Sequence, residues 1–224
     1  MDIPYIIVAG GKGLRMGANI PKQYIEIKGK PIIYYTIANL SKAGVKRFII
    51  VIDWQYHSYL EEVLKDIEAE IQFVKGGNER YKSVINGLGC LKKDDEFVAI
   101  HDSVRPLISE KIVNELANGI LNKDISGIVP VLPVKDTIKI VADKVVTKTI
   151  DRSSLRRIGT PQMVKVKDYL EAIENIGERI SWATDDASIL EMNGRMVGII
   201  EGEEAAFKIT DSMDLALFEV LVGR

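Results

Sequence analysis

Residues 6–24, IIVAGGKGLRMGANIPKQY, run from an unbroken apolar stretch into a glycine cluster and then to Arg15 and Lys22. Apolar residues without alternation predict a strand buried on both faces, as in a parallel sheet covered by helices. Glycines directly after such a strand let a phosphate approach the backbone, because no Cβ stands in the way. Spacing excludes the two familiar phosphate loops. A dinucleotide fingerprint begun at Gly11 and Gly13 needs a third glycine where Met16 stands, and no acidic residue follows a second strand at the required distance. A P-loop would need its first glycine at Ile6 and a hydroxyl residue at Gly13. The segment is a phosphate loop of a third kind.

The pattern continues outward. PIIYYTIANLSKAG (31–44) opens on a proline, closes on a glycine and spaces its apolar residues for a helix. RFIIVID (47–53) is a second buried strand, QYHSYLEEVLKDIE (55–68) an amphipathic helix, and IQFV (71–74) a short strand running into Gly76 and Gly77. A helix over 79–91, a strand over 96–102, a helix over 108–121 with Ser109 as its N-cap, and a strand over 126–134 follow. This alternation predicts an α/β fold, a mostly parallel central sheet with helices on both faces.

The rhythm breaks at 136–152, DTIKIVADKVVTKTIDR, where two alternating strand patterns flank a polar turn at Asp143-Lys144. A two-stranded ribbon has little core of its own, so it is expected to be an inserted β-hairpin arm that packs on a second subunit. A hairpin folded back on its own chain is the alternative. Helices are expected near 166–175 and 185–193, strands in MVGIIEG and AAFKIT, and a terminal helix in SMDLALFEVLVG. Residues 1–224 then form one domain with the arm inserted.

Composition narrows the class. The 224 residues, 46% hydrophobic and 28% charged, are ordinary for a globular protein with a substantial core. A formal net charge of −2 argues against nucleic-acid binding by bulk charge, so an anionic ligand must meet local cations. One cysteine, Cys90, excludes an intramolecular disulfide, and two histidines, His57 and His101, argue against a multi-histidine zinc site. No apolar run reaches the length of a membrane span or a signal-peptide core with its cleavage site. A cytoplasmic protein without membrane or nucleic-acid partners is expected.

In open α/β sheets, ligands bind at the carboxyl ends of the strands. Gly10, Gly11, Gly13, Arg15 and Lys22 follow the first strand. The glycine N–H groups suit phosphate oxygens, while Arg15 and Lys22 add a planar fork and a compact point charge. That pair suits a triphosphate and stabilises an α-phosphorus under attack; alone on a surface, either cation would merely be solvated. Asp102, at the end of FVAIHD, suits Mg²⁺, which takes one or two carboxylates with phosphate oxygens. Its plainer role is a turn or helix cap, with Arg105 as its ion partner. His101 is expected to be packed and without catalytic work.

In GGNERYKS (76–83), the Gly76 and Gly77 backbone can read a base edge and Ser83 can add a hydrogen bond; a tight turn is the simpler account. Thr137, Arg152, Arg156 and Arg157 are donor-rich, and Arg152 can complete a neighbouring subunit's pocket if the arm crosses a dimer. Lys208, inside an apolar expected strand, requires a partner or a ligand. Asp185 and Asp186 are expected to cap a helix.

The motifs AGGKGLRMG…PKQY, GGNERYKSV, HDSVRP, PVKDTIK, DR, TPQ, TDDAS and FKIT occur in this order across nearly the whole chain. That series resembles the 2-C-methyl-D-erythritol 4-phosphate cytidylyltransferase family, with the pentitol-phosphate (ribitol-5-phosphate) cytidylyltransferases as close relatives. The resemblance implies a Rossmann-like nucleotidyltransferase domain, a homodimer through the arm, CTP, a polyol phosphate acceptor and Mg²⁺. By motif, Arg15 and Lys22 match residues that bind the triphosphate and stabilise the pentacoordinate phosphorus. Gly76, Gly77 and Ser83 match the cytosine-reading segment. Asp102 and Arg105 match the junction of nucleotide and acceptor. Thr137, Arg152, Thr160 and Lys208 match residues that hold the acceptor phosphate and the α-phosphate. The implied reaction is an ordered transfer of CMP without a general base.

Asn78 stands where the family commonly carries Asp, and EGEEAAFKIT lacks the polar residue often found before Lys-Ile-Thr. HDSVRP and AGGKG look closer to the pentitol-phosphate branch, whereas PVKDTIK, TDDASILE and the compact length look like the methylerythritol branch. The expectation sides with methylerythritol phosphate, with a ribitol-5-phosphate enzyme as the alternative. Outside the family, a dinucleotide-dependent oxidoreductase is disfavoured by the failed fingerprint, and a non-catalytic nucleotide-binding protein remains a third class.

Overall fold

In a computed structural model describing residues 2–11 and 20–223, the first buried run forms β1 (Tyr5–Ala9) near the middle of an eight-stranded sheet. The chain then makes a small hairpin, β2 (Glu26–Ile27) and β3 (Lys30–Pro31), turning through Lys28 and Gly29 at φ 52° and 76°. Helix α1 (Ile32–Lys42) starts after Pro31 and stops before Gly44, whose φ of 97° suits glycine, as the sequence predicts. β4 (Arg47–Ile52), α2 (His57–Leu64), β5 (Glu70–Lys75), α3 (Arg80–Leu88) and β6 (Phe97–Asp102) continue the alternation. Helix α4 (Glu110–Gly119) is capped by Ser109, whose hydroxyl accepts the Ile112 N–H at 3.3 Å. It leads to β7 (Gly127–Pro133).

β1 pairs in parallel with both β4 and β6, and β4 with β5. Alternate residues of these strands feed two separate cores. Tyr5, Ile7, Phe48, Ile50 and Ile52 pack with α1, α2 and α4 on one face. Ile6, Ile49 and Val51 pack on the other face with α3 and with α5 (Val166–Ile176) and α6 (Asp186–Glu191). Both faces are covered by helices and buried, which is why the strands read as continuous apolar runs. Burying each such side chain contributes roughly 1.5–3 kcal/mol.

The arm is β8 (Ile138–Ala142) and β9 (Val145–Ile150), an antiparallel pair forming its own two-stranded sheet. Asp143 and Lys144 turn it with φ 48° and 66°, the backbone of a two-residue hairpin loop. Ile140, Val141, Val145 and Val146 are 48–62% exposed on it.

Two strands were not legible. β10 (Arg156–Ile158) and β11 (Gln162–Lys165) run antiparallel along successive halves of β7, and β11 also pairs antiparallel with β6. They flank a cis Thr160-Pro161 bond. β12 (Val197–Glu201) is parallel to β7 over the same residues and so occupies its opposite edge. The sheet is thus mainly parallel, with one antiparallel strand line inserted between β6 and β7. The expected AAFKIT strand is not formed: a 3-10 turn covers Glu204–Ala206, and residues 207–210 belong to no strand. Terminal helix α7 (Ser212–Val222) is present, held by Phe218 and Ile209 against Ile32 and Val104.

Candidate active site

At the carboxyl ends of β1, β5 and β6 lies a cavity of about 510 Å³. Its floor is backbone. A Cβ added at Gly76 would lie 3.3 Å from the Gly10 Cα and 3.2 Å from the Ile52 carbonyl oxygen. The glycines after two separate strands therefore let two chain segments touch. Gly77 is tighter still: its Cβ would fall 2.4 Å from the Lys82 Cβ and 3.2 Å from the Ser83 nitrogen. Ser83 is buried, and its hydroxyl accepts the Gly77 N–H at 3.1 Å, fixing the turn into α3.

Lys22 and Lys208 both border this cavity, together with Gly10, Gly11 and Asp102. The Lys22 ammonium donates to the Ile209 carbonyl at 2.9 Å, tying the first loop to the segment that carries Lys208. The backbone of Ile209 in turn donates to the Val104 carbonyl at 2.9 Å. Gly13 and Arg15 lie outside the described residues.

Asp102 ends β6 among three cations. Lys208 Nζ is 2.9 Å and Arg105 Nε 3.4 Å from Oδ2, and Arg80 Nε is 4.0 Å from Oδ1. Burial alone would raise the pKa of this carboxyl, but Lys208, Arg80 and Arg105 outweigh burial and hold it far below the usual range. Arg105 is braced by a 3.1 Å bond to the Ala206 carbonyl.

A second cavity, about 310 Å³, lies beside the first and is bordered by Arg105, Arg157, Thr160 and Lys208. Lys208 borders both. Thr160 is 6% exposed, and its hydroxyl points its bonding inward. His101 Nε2 meets the Arg105 carbonyl at 3.1 Å, so it must carry the proton. Bare Nδ1 then accepts from the Thr160 hydroxyl at 2.8 Å, and that hydroxyl accepts the Asp102 N–H at 3.2 Å. Burial lowers the His101 pKa to about 4, so the ring is neutral at physiological pH. It is fully buried and joins the Arg105 backbone to the Thr160 hydroxyl, a packed location as the sequence suggests.

Thr137 and Arg152 are exposed at the base of the arm and border neither cavity of their own chain. Arg152 donates to the Lys135 carbonyl, closing the base. Glu204 clips the base to the wall of the second cavity through Lys135 at 2.6 Å and Arg157 at 2.8 Å.

A glycine-floored cavity with two lysines beside a carboxylate fits a nucleoside triphosphate, and the comparisons name the class. Residues 3–224 match the family model described as IspD: 2-C-methyl-D-erythritol 4-phosphate cytidylyltransferase. The chain belongs to this family. The family's cytidylyltransferase from Dictyoglomus thermophilum is 38% identical over 98% of this chain and 96% of its own length. A bifunctional IspD/IspF enzyme from Wolbachia pipientis is 34% identical over 98% of the chain, which spans only 55% of that longer protein. The solved 4-diphosphocytidyl-2C-methyl-D-erythritol synthase of Anaerococcus prevotii superposes with a TM-score of 0.84 at 27% identity, covering 99% of this chain and 98% of that one. This chain is accordingly a nucleotidyltransferase, and its fold is that of the family.

Several residues of this site are not marked by the sequence. Gln23, 3% exposed, donates to the carbonyls of Ala9 at 2.7 Å and Gly11 at 2.9 Å and so anchors the start of the glycine loop. Arg80 borders the first cavity between Asp102 and the buried Asp186. The available signal is a cation inside GGNERYKS, close behind the glycines. Asp185 does cap α6, as expected, but Asp186 serves as the ion partner of Arg80. Lys208 has the partner its setting demanded, although the expected strand around it does not exist. Among the described residues no three His, Cys, Asp or Glu side chains gather as a metal cage. One carboxylate, Asp102, fits an ion such as Mg²⁺ that is bound chiefly by substrate phosphates and water.

Proposed function

We propose that this chain transfers CMP from CTP to 2-C-methyl-D-erythritol 4-phosphate, forming 4-diphosphocytidyl-2-C-methyl-D-erythritol and pyrophosphate. The observation that carries this is Lys208, whose ammonium borders both the 510 Å³ nucleotide cavity and the 310 Å³ neighbour. Such a cation can serve an α-phosphate and an incoming phosphate monoester at once.

The acceptor phosphate is ionised at neutral pH, so an oxygen of it attacks the α-phosphorus without a general base. The new P–O bond forms in line as the bond to the β-phosphate breaks and pyrophosphate leaves. Alignment and charge stabilisation then account for the rate, as in phosphoryl transfer. Gly76, Gly77 and Ser83 would read the base and Gly10 and Gly11 would face the phosphates, a part that the motif also gives to Gly13. Arg15, Lys22 and Lys208 would stabilise the charge that develops at phosphorus, and Arg105 and Thr160 would shape the acceptor side. Asp102 would hold Mg²⁺, whose contribution is to neutralise phosphate charge.

The arm would pair two chains, its exposed Ile140, Val141, Val145 and Val146 finding cover that a lone hairpin lacks. Thr137 and Arg152 of each arm would then act in the other chain's site. Dependence on CTP and a sugar phosphate suits a cytoplasmic enzyme, and no helix among the described residues is long and apolar enough to cross a membrane.

The deciding experiment is pyrophosphate release from CTP with methylerythritol 4-phosphate and ribitol 5-phosphate side by side. Preference for the first is expected. Faster turnover of ribitol 5-phosphate would move the chain to the pentitol branch, and release with neither would remove the assignment.

A further inference from the structure

Arg80 differs from the other cations of the site in how firmly it is held. Its guanidinium bonds Asp186 twice, Nη1 to Oδ1 at 3.1 Å and Nη2 to Oδ2 at 2.6 Å. Asp186 is 1% exposed and also accepts the Tyr169 hydroxyl at 2.8 Å. Tyr169 is itself fully buried in the core under α3, α5 and α6. With both terminal nitrogens committed to a buried carboxylate, the fork has no other rotamer that keeps its bonds. Its Nε lies 4.0 Å from Asp102 Oδ1.

The opposite oxygen, Oδ2, is served by Lys208 and, at 3.4 Å, by Arg105 Nε. Oδ2 meets Lys208, a single ammonium on a flexible stem whose side chain is 39% exposed. If Lys208 serves a phosphate, it must share or leave Oδ2 when that phosphate arrives. Asp102 would then be a buried carboxylate that has lost its closest counter-charge, with only Arg105, which borders the second cavity, left on that oxygen. Arg80, bordering the first cavity and facing the other oxygen, is a cation that cannot leave.

We propose that Arg80, locked by Asp186, is a positioning residue that keeps the Asp102 carboxylate turned to the nucleotide cavity while Lys208 gives its charge to a phosphate. It acts through Asp102, and it rests on the cytidylyl-transfer site proposed above. Asp186 borders neither cavity, so its part is to hold Arg80.

A double-mutant cycle tests this. Arg80→Gln is measured in the natural chain and in an Asp102→Asn chain, with kcat and KM for CTP read from pyrophosphate release and folding read from thermal unfolding. In the natural chain the expected loss of kcat/KM is about 10–100-fold, the size seen for residues that orient a ligand-binding group. In the Asp102→Asn chain the further loss is expected to stay within about twofold, the scatter of independent sites. Equal losses in both chains mean that Arg80 works independently of Asp102 and overturn the proposal.

Should Arg80→Gln not fold, Tyr169→Phe loosens Asp186 without touching the cavity, and its smaller loss must also vanish in the Asp102→Asn chain. Arg80→Lys keeps the charge without the fork and is expected to fold yet remain slow; full activity overturns positioning by the fork. Full turnover by Asp102→Asn alone overturns the site assignment itself, a result separate from additivity.

Discussion

The Lys208 ammonium sits 2.9 Å from Asp102 Oδ2 on the boundary between two adjoining cavities. Removing it should therefore slow the transfer far more than it unfolds the protein. Lys208→Ala is expected to lower kcat/KM by roughly 10²–10³, the scale of one lost donor to a charged transition state. Its unfolding temperature should fall modestly, because buried Asp102 loses its nearest counter-charge but keeps Arg105 and Arg80. Steady-state pyrophosphate release and a thermal melt on the same sample check both halves. A fast Lys208→Ala enzyme would sink the role given to it.

His101 makes stability depend on pH in a defined window. Its folded-state pKa is lowered from 6.5 to about 4, chiefly by burial. Between those values the unfolded chain takes up a proton that the folded chain refuses, so stability falls as pH drops from 6.5 towards 4. The loss is on the order of 3 kcal/mol. Asp102, depressed below 3.8 by its cations, adds its own loss only below that pH. Urea melts from pH 7 to pH 4 should show the first slope, and His101→Gln should flatten it.

Gly77 leaves no room for a side chain. An alanine Cβ would lie 2.4 Å from the Lys82 Cβ and within 3.2 Å of backbone at Lys82 and Ser83, so the turn into α3 must shift. The Gly77 N–H bond to Ser83 would be strained with it. Gly77→Ala is expected to weaken CTP binding about tenfold or more, as misplacing a hydrogen-bonded contact by 1–2 kcal/mol implies. Calorimetric titration with CTP reads this directly, and unchanged affinity would separate this turn from base recognition.

The arm lends itself to complementation. If the arm pairs two chains as proposed, the Lys22→Ala and Arg152→Ala proteins should each be nearly inactive. Mixed under conditions where subunits exchange, they should regain about a quarter of the natural rate, because half of the dimers are mixed and each holds one intact site. No recovery under demonstrated exchange would mean that Arg152 serves its own chain.

Much of this molecule is legible from residues close together in sequence. The Ser109 cap, the Pro31 start of α1 and the Asp143-Lys144 turn each depend on one to four neighbouring residues, and all three stand in the structure. The β10 and β11 strands were missed for the converse reason. RRI and QMVK carry too little pattern alone; they are strands because β6 and β7 offer them edges.

The sequence by itself determined the alternation of buried strands and helices, the arm and the family, since apolar periodicity and turn chemistry act over a few residues. The motifs also marked Lys22, Asp102, Arg105 and Lys208 as one set. Only tertiary structure decided how they are joined. His101 meets Thr160 across 59 residues, Arg80 meets Asp186 across 106, and Gly10 touches Gly76 because β1 and β5 flank β4. Such pairs follow from strand order, and strand order is set by which long-range edges and faces close the core, a choice no local pattern encodes.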